Sequence, residues 1–276
     1  MLALTSCVKE GEVEAPQEMA TAVYNIAFYD YEIKSLGDAS DINYIWYAVY
    51  NEDGSLFYEC ETPAEILGGN AECPVTLILE KSYRVVFLGM HYDGNMNPSY
   101  AIDAANALVR HPEHPYANSD KGDLFYTYDD TNSYDGNVSD GVSLERISAQ
   151  VNFICNAADW TSAQQKPTAS SLELSGVPVA YSLLEGKAAS GLGNVTYPRT
   201  ALPAGSDLEM NEGYVVFSAY TFAAEAPQTT KASAVLKMWN EGSLGAEDYL
   251  INVSGMDLQG NKKTNIQGDI VSKGKK

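Results

Sequence analysis

Three histidines are the scarcest chemical groups in this chain: His91, His111 and His114. His111-Pro112-Glu113-His114-Pro115 sets two imidazoles three residues apart, a spacing that a helix would turn into a metal site. Proline after each histidine breaks such a helix, and no third ligand accompanies the pair, so the stretch reads as a solvent-facing turn. Asp129, Asp130, Asn132, Asp135 and Asp140 make an oxygen-rich loop, but their spacing misses the calcium-loop template and a solvated loop is expected. Carboxylates are numerous enough for a glycosidase pair, yet nothing singles out two of them. Nucleophile elbow, zinc-protease helix, phosphate loop and dinucleotide fingerprint are all missing; Gly191-Leu192-Gly193 has no helix behind it. The expectation is a protein that is not an enzyme, with no catalytic residue, metal or cofactor.

Cysteines are four: Cys7, Cys60, Cys73 and Cys155. None forms a C-x-x-C pair or has histidine at zinc spacing. Cys60 and Cys73 flank a Pro63, Gly68, Gly69 loop; a disulfide in an oxidising compartment and two separate half-buried thiols both fit. Leu4-Thr5-Ser6-Cys7 resembles a bacterial lipobox, whose cysteine is acylated, so Cys7 is the expected lipid-bearing residue and Met1–Cys7 reads as a clipped export signal. Val8 to Glu18, acidic and without periodicity, reads as a flexible tether.

The elements that hold these residues must come from 276 residues with 17 Lys plus Arg against 37 Asp plus Glu, a formal net charge of -20. Such a balance argues against nucleic acid and against electrostatic docking on an anionic membrane. No apolar run reaches the roughly 18 residues of a bilayer-spanning helix. Nineteen tyrosines favour half-buried pleated surfaces, and short apolar runs alternate with Gly, Asn, Asp and Pro clusters, the punctuation of an all-β protein. Expected strands are Ala22–Ile33, Ile42–Tyr50, Ser55–Glu59, Val75–Leu79, Tyr83–Met90, Ser143–Cys155, Ser170–Leu174, Val177–Leu183, Tyr214–Phe222, Ala232–Trp239, Tyr249–Val253 and Thr264–Val271. Asp53-Gly54 marks a hairpin. His91 to Gly141 reads as a loop-rich excursion with one short helix, Ala101–Arg110. The division expected is a tether over 1–21 and two β-sandwich domains over 22–140 and 141–276.

Several segments together resemble the fimbrillin-like superfamily of Bacteroidales surface lipoproteins. They are the lipobox Cys7; Asp41 to Gly54, an apolar strand running into the Asp53-Gly54 hairpin; Asp123-Leu124-Phe125-Tyr126; Leu144-Glu145-Arg146-Ile147-Ser148-Ala149-Gln150-Val151; and Asn261 to Ile270. Their order spans nearly the whole chain. The resemblance implies two transthyretin-like β-sandwich domains, lipid anchoring at the outer membrane, and a pilus subunit, anchor or cap that assembles with other fimbrial subunits by strand exchange. In that family a protease removes the first strand after a basic residue, often arginine; here the position carries Lys34, and the first arginine is Arg84 inside an expected core strand. Either a lysine-tolerant protease acts at Lys34, the candidate maturation site, and Ala22–Ile33 is a removable edge strand, or the first strand is never removed and the chain is an anchor, cap or stand-alone lipoprotein. Thr264, Ile266 and Ile270 mark the candidate donor strand, or else the last strand of its own sheet, with Lys273–Lys276 disordered behind it. The alternative function is a glycan-binding surface lipoprotein, in which exposed Tyr92, Tyr100, Tyr126, Tyr128 and Tyr134 would stack on sugars; core packing of these rings is the plainer expectation.

Overall fold

Continuous apolar runs become strands buried on both faces, and alternating runs become strands with one wet face. The computed structural model describes residues 17–28, 40–138, 141–203, 209–210 and 213–276, and over them the chain is all-β. The first half supplies β1 (Met19–Phe28), β2 (Tyr44–Asn51), β3 (Leu56–Glu59), β4 (Ala64–Glu65), β5 (Asn70–Ile78) and β6 (Tyr83–Met90). In β2 and β6 nearly every residue is buried, whereas β5 alternates strictly. Asp53-Gly54 makes the β2–β3 turn as expected, with Gly54 at φ 81, where a side chain would be strained.

Residues 91–141 depart from the expected loop and helix. Ala101–Arg110 is β7 (Ala101–Asp103), a single 3-10 turn and β8 (Leu108–Arg110), with Ala107 at φ 51 reversing the chain. Leu124–Thr131 is β9, central in the first sheet, followed by β10 (Val142–Arg146). The sheet runs β3-β2-β6-β9-β10-β1-β5, with β4 on β2. It doubles over at β10, which bonds β9 only at Glu145 and Arg146 and bonds β1 at residues 142–144. As a result β1 lies face-on to β6 and β9: the Tyr24 ring sits 5.1 Å from Phe87, and its hydroxyl donates to Asp129 at 2.9 Å. Between the layers is the first core, which includes Tyr24, Tyr50, Val85 and Phe87.

The expected strand Ser143–Cys155 breaks at Ile147, and the chain passes there from the first core to a second. Beyond it come β11 (Ser148–Asn156), α1 (Ala157–Ser162), β12 (Pro167–Pro178), β13 (Ala180–Ser182), β14 (Lys187–Ala188), β15 (Leu192–Ala201), β16 (Glu209–Met210), β17 (Gly213–Phe222), β18 (Thr230–Asn240), β19 (Tyr249–Leu258), β20 (Lys263–Gly268) and α2 (Ile270–Gly274). Sheet β16-β17-β11-β20 packs on sheet β15-β12-β18-β19 around Phe153, Leu172, Phe217 and Leu236. A buried hydroxyl stitches the layers, Ser170 donating to the Val216 carbonyl at 2.7 Å. Gly176 carries β12 through a register shift at φ 76; a Cβ there would stand 3.0 Å from the Lys231 carbonyl. A fourth sheet, β14-β13-β8-β7, takes two strands from each half and ties them together.

Candidate functional site

Cys7 and Lys34 lie outside the described residues. The strand between them, expected at a sheet edge, is internal: β1 pairs antiparallel with β5 from Met19↔Ile78 to Ala27↔Asn70, and parallel with β10 from Ile26↔Val142 to Phe28↔Leu144. The edge is β5. Ala22, Tyr24 and Ile26 face the core and are buried; alternation separates the two faces of a strand, but neighbours along the sheet leave no mark on its pattern. Met19 and Val23 face outward and are exposed.

The C-terminal segment is held within its own half. Thr264 and Ile266 lie in β20, which pairs parallel with β11 from Gln150↔Lys263 to Cys155↔Gly268. Asn152 Nδ2 donates to Asn265 Oδ1 at 2.9 Å. After Gly268 the chain turns into α2, so Ile270 is a buried helix residue and does not share a strand face with half-buried Ile266. Asp159 accepts the α2 backbone N–H groups of Val271 at 2.8 Å and Ser272 at 3.1 Å. Burial raises the Asp159 carboxyl, but hydrogen bonds from Ser272, Cys155 and Val271 outweigh it and hold the group below its ordinary value. Lys273–Lys276, expected to be disordered, are pinned instead: the Lys276 N–H donates to the Asp248 carbonyl at 3.0 Å, and its ammonium pairs with Glu247.

The groups capable of chemistry do not converge. His111 packs among Tyr100, Phe222 and Tyr197, and burial drives its imidazole down to about 3, so it stays neutral. His114 is exposed and His91 faces the Asp41 carbonyl at 2.8 Å. In the acidic loop Asp129 accepts from Tyr24, Asp130 pairs with Arg84 at 2.6 Å and Asp135 accepts from Asn137; Asp140 lies outside the described residues. Among the described residues no cluster of three His, Cys, Asp or Glu could hold a metal. Cys60 and Cys73 are free, buried thiols, pushed by burial to about 11 and about 12. Of the five tyrosines proposed for sugar stacking, Tyr92, Tyr100, Tyr126 and Tyr134 are buried and Tyr128 alone is 46% exposed. Tyr126 is an inward-facing strand residue, whereas Tyr92, Tyr100 and Tyr134 lie in the connections between strands and are buried by the packing around them.

What single residues did not reveal is a buried ion pair at the passage between the cores. Asp123, 0% exposed, takes two contacts of 2.7 Å from Arg146, the Ser148 hydroxyl at 2.5 Å and the Leu124 N–H at 2.9 Å. Burial pushes its carboxyl up to about 6 even though Arg146 pulls it down. Nearby, Lys263 is lowered to about 8 by burial and by Arg146. The partners sit in two of the stretches that carry the family resemblance, Asp123-Leu124-Phe125-Tyr126 and Leu144 to Val151; their shared signal was charge inside apolar segments, which only a partner makes tolerable.

No family model matches the chain and no curated protein matches its sequence. Solved structures do. A candidate adhesin from Bacteroides thetaiotaomicron is similar at 12% identity and TM-score 0.50, over 93% of this chain and 94% of that one. A fimbrial assembly protein from Parabacteroides distasonis is similar at 11% identity and TM-score 0.47, over 91% and 92%. The fimbrial anchor protein Mfa2 from Porphyromonas gingivalis is similar at 13% identity and TM-score 0.42, over 84% and 82%. This chain therefore has the all-β fold of the Bacteroides thetaiotaomicron adhesin candidate along nearly its whole length.

Proposed function

We propose that the chain is a non-enzymatic adhesion protein of the bacterial cell surface, of the fimbrial type, anchored to the outer membrane through acylated Cys7 and joined to other fimbrial subunits by strand exchange. The fold shared with an adhesin candidate and the ordered motif stretches support this reading. The observation that carries it is the seat of β1. It is an N-terminal strand with a partner on each side and a buried inner face, followed within a few residues by the basic Lys34. Cleavage there would empty a slot lined by backbone N–H and C=O groups of β5 and β10, which an incoming strand can fill. Thr264, Ile266 and Ile270 are engaged within the chain's own second half. That favours a subunit that accepts a strand without donating its C-terminus, the position of an anchor or cap.

Expression from a clone carrying the complete leader tests the surface assignment. Intact-mass analysis of the membrane fraction should give a diacylated chain beginning at Cys7, and protease treatment of whole cells should remove it. Unmodified protein beginning at Met1 in the soluble fraction would contradict the anchor.

A further inference from the structure

The end strands of a sheet show rows of backbone N–H and C=O groups that a further strand could bond. Among the described residues these ends are β3 and β5, β16 and β20, β15 and β19, and β14 and β7. All but one are blunted. β16 and β14 have two residues each, β7 has three, and β3 has four with Glu59 exposed. β5 presents Glu72 and Pro74, and the proline has no N–H to offer. The Thr264 hydroxyl ties β20 to the Asp257 carbonyl of β19 at 3.0 Å. β19 itself turns at Gly255, φ 69, and its first residue, Tyr249, is bridged by Lys275 beyond α2. β15 is different. It is ten residues long, and its stretch Leu192-Gly193-Asn194-Val195-Thr196-Tyr197 holds neither charge nor proline. Pro198 and a register shift against β12 end that stretch.

We propose that β15 is an association edge that pairs antiparallel with β15 of a second copy of this chain, joining two β15-β12-β18-β19 sheets into one of eight strands. Charge is the first reason the occupant is a second copy. The chain carries -20, so two copies can meet only along a stretch that sets no carboxylate against another, and Leu192–Tyr197 is such a stretch. Alternation is the second. Leu192, Asn194 and Thr196 are exposed on one face, while Val195 and Tyr197 are buried on the other. A two-fold axis perpendicular to the sheet sets like face beside like face. Amide and hydroxyl side chains then bond across the join on the wet face, and Val195 carries the second core across it on the other. The third reason is apolar surface at the end of the edge. Leu192 is 64% exposed, and Val179, 36% exposed, lies against Gly193, where a Cβ would stand 2.6 Å from its Cγ1. A partner strand would cover both. An edge pair of this length is much smaller than a standard interface of about 1,600 Å², so the dimer is weak and forms at high concentration. The pairing removes no strand and leaves the β1 seat untouched, so it goes beyond the function proposed above, and its failure would leave that reading intact.

Sedimentation velocity of the full chain from about 5 µM to about 500 µM tests it, a range that spans weak association. The sedimentation coefficient should rise from that of a monomer towards that of a dimer. Asn194→Glu combined with Thr196→Glu sets like charges side by side across the join and should keep the chain monomeric over the whole range. Asn194→Lys combined with Thr196→Lys should do the same, and an equimolar mixture of the two double variants should form dimers again. Both positions are exposed, so each variant should melt with the parent by circular dichroism. A parent chain that is monomeric at the top of the range, a Glu variant that dimerises as the parent does, or a mixture that stays monomeric would each overturn the proposal.

Discussion

Replacing Arg146 by Met should destabilise the protein strongly at pH 8 and weakly at pH 5. Arg146 is 9% exposed and supplies both charged contacts to a carboxylate that is 0% exposed. Without it, Asp123 keeps only the Ser148 hydroxyl and the Leu124 N–H, and breaking a buried pair from one side costs about 3–5 kcal/mol. For a chain of this size that is a melting shift on the order of 10 °C. The pH dependence follows from the direction of the shift. Asp123 is already raised to about 6 by burial, so the folded wild type holds its proton more tightly than the unfolded chain, and stability falls as pH rises from the ordinary carboxylate range through 6. Loss of Arg146 raises the carboxyl further and deepens that fall. At pH 5 the group is largely neutral in both proteins, and the variant should lose only about 1 kcal/mol of hydrogen bonding. Thermal melts followed by circular dichroism at the two pH values give the comparison. Adding Asp123→Asn to Arg146→Met should recover most of the loss at pH 8. Equal destabilisation at both pH values would refute the assignment of the loss to an uncompensated charge.

Asp159→Ala removes the acceptor for two α2 backbone amides and should cost about 1–3 kcal/mol, seen as faster hydrogen exchange at Val271 and Ser272. Because the Asp159 carboxyl is held below its ordinary value, its contribution is present at neutral pH and fades as pH falls through the carboxylate range. Ile270→Asp should unfold the second core, since it puts an unpaired carboxylate at a position 4% exposed; Ile266→Asp, at a half-buried position, should be milder by equilibrium denaturation. Cys60 and Cys73, both raised well above neutral pH by burial, should resist iodoacetamide at pH 8 in the folded chain and react fully in denaturant, which mass spectrometry reads directly.

Local pattern was legible and lateral arrangement was not. Tyr83–Met90 was delimited by its apolar run alone, and Asp53-Gly54 by turn chemistry. By contrast, Ala101–Arg110 has the composition of a helix, but Ala107 turns left-handed, Ala101–Asp103 folds back on Leu108–Arg110, and that second triplet is recruited by β13, about seventy residues downstream. β9 was obscured because its second half, Tyr128-Asp129-Asp130-Thr131, is polar: Asp130 is tolerated by its pairing with Arg84, and Asp129 by the Tyr24 hydroxyl. The same limit applies to the sites. Alternation in Ala22–Ile33 separates the two faces of β1 without saying which is buried, and its neighbours β5 and β10 are chosen by contacts far along the chain. Gly268 sits where the last strand ends and α2 follows, which hid the separate fates of Ile266 and Ile270.

The central claim, that β1 fills an exchangeable seat, is tested most directly by deleting residues 1–34 and following association by sedimentation velocity, with and without a synthetic peptide of residues 17–28. The truncated chain should associate or aggregate, because Ala22, Tyr24 and Ile26 leave the first core open, and one equivalent of peptide should return it to a monomer with the melting temperature of the parent. A truncated chain that stays monomeric, melts with the parent and ignores the peptide would contradict strand exchange at this seat.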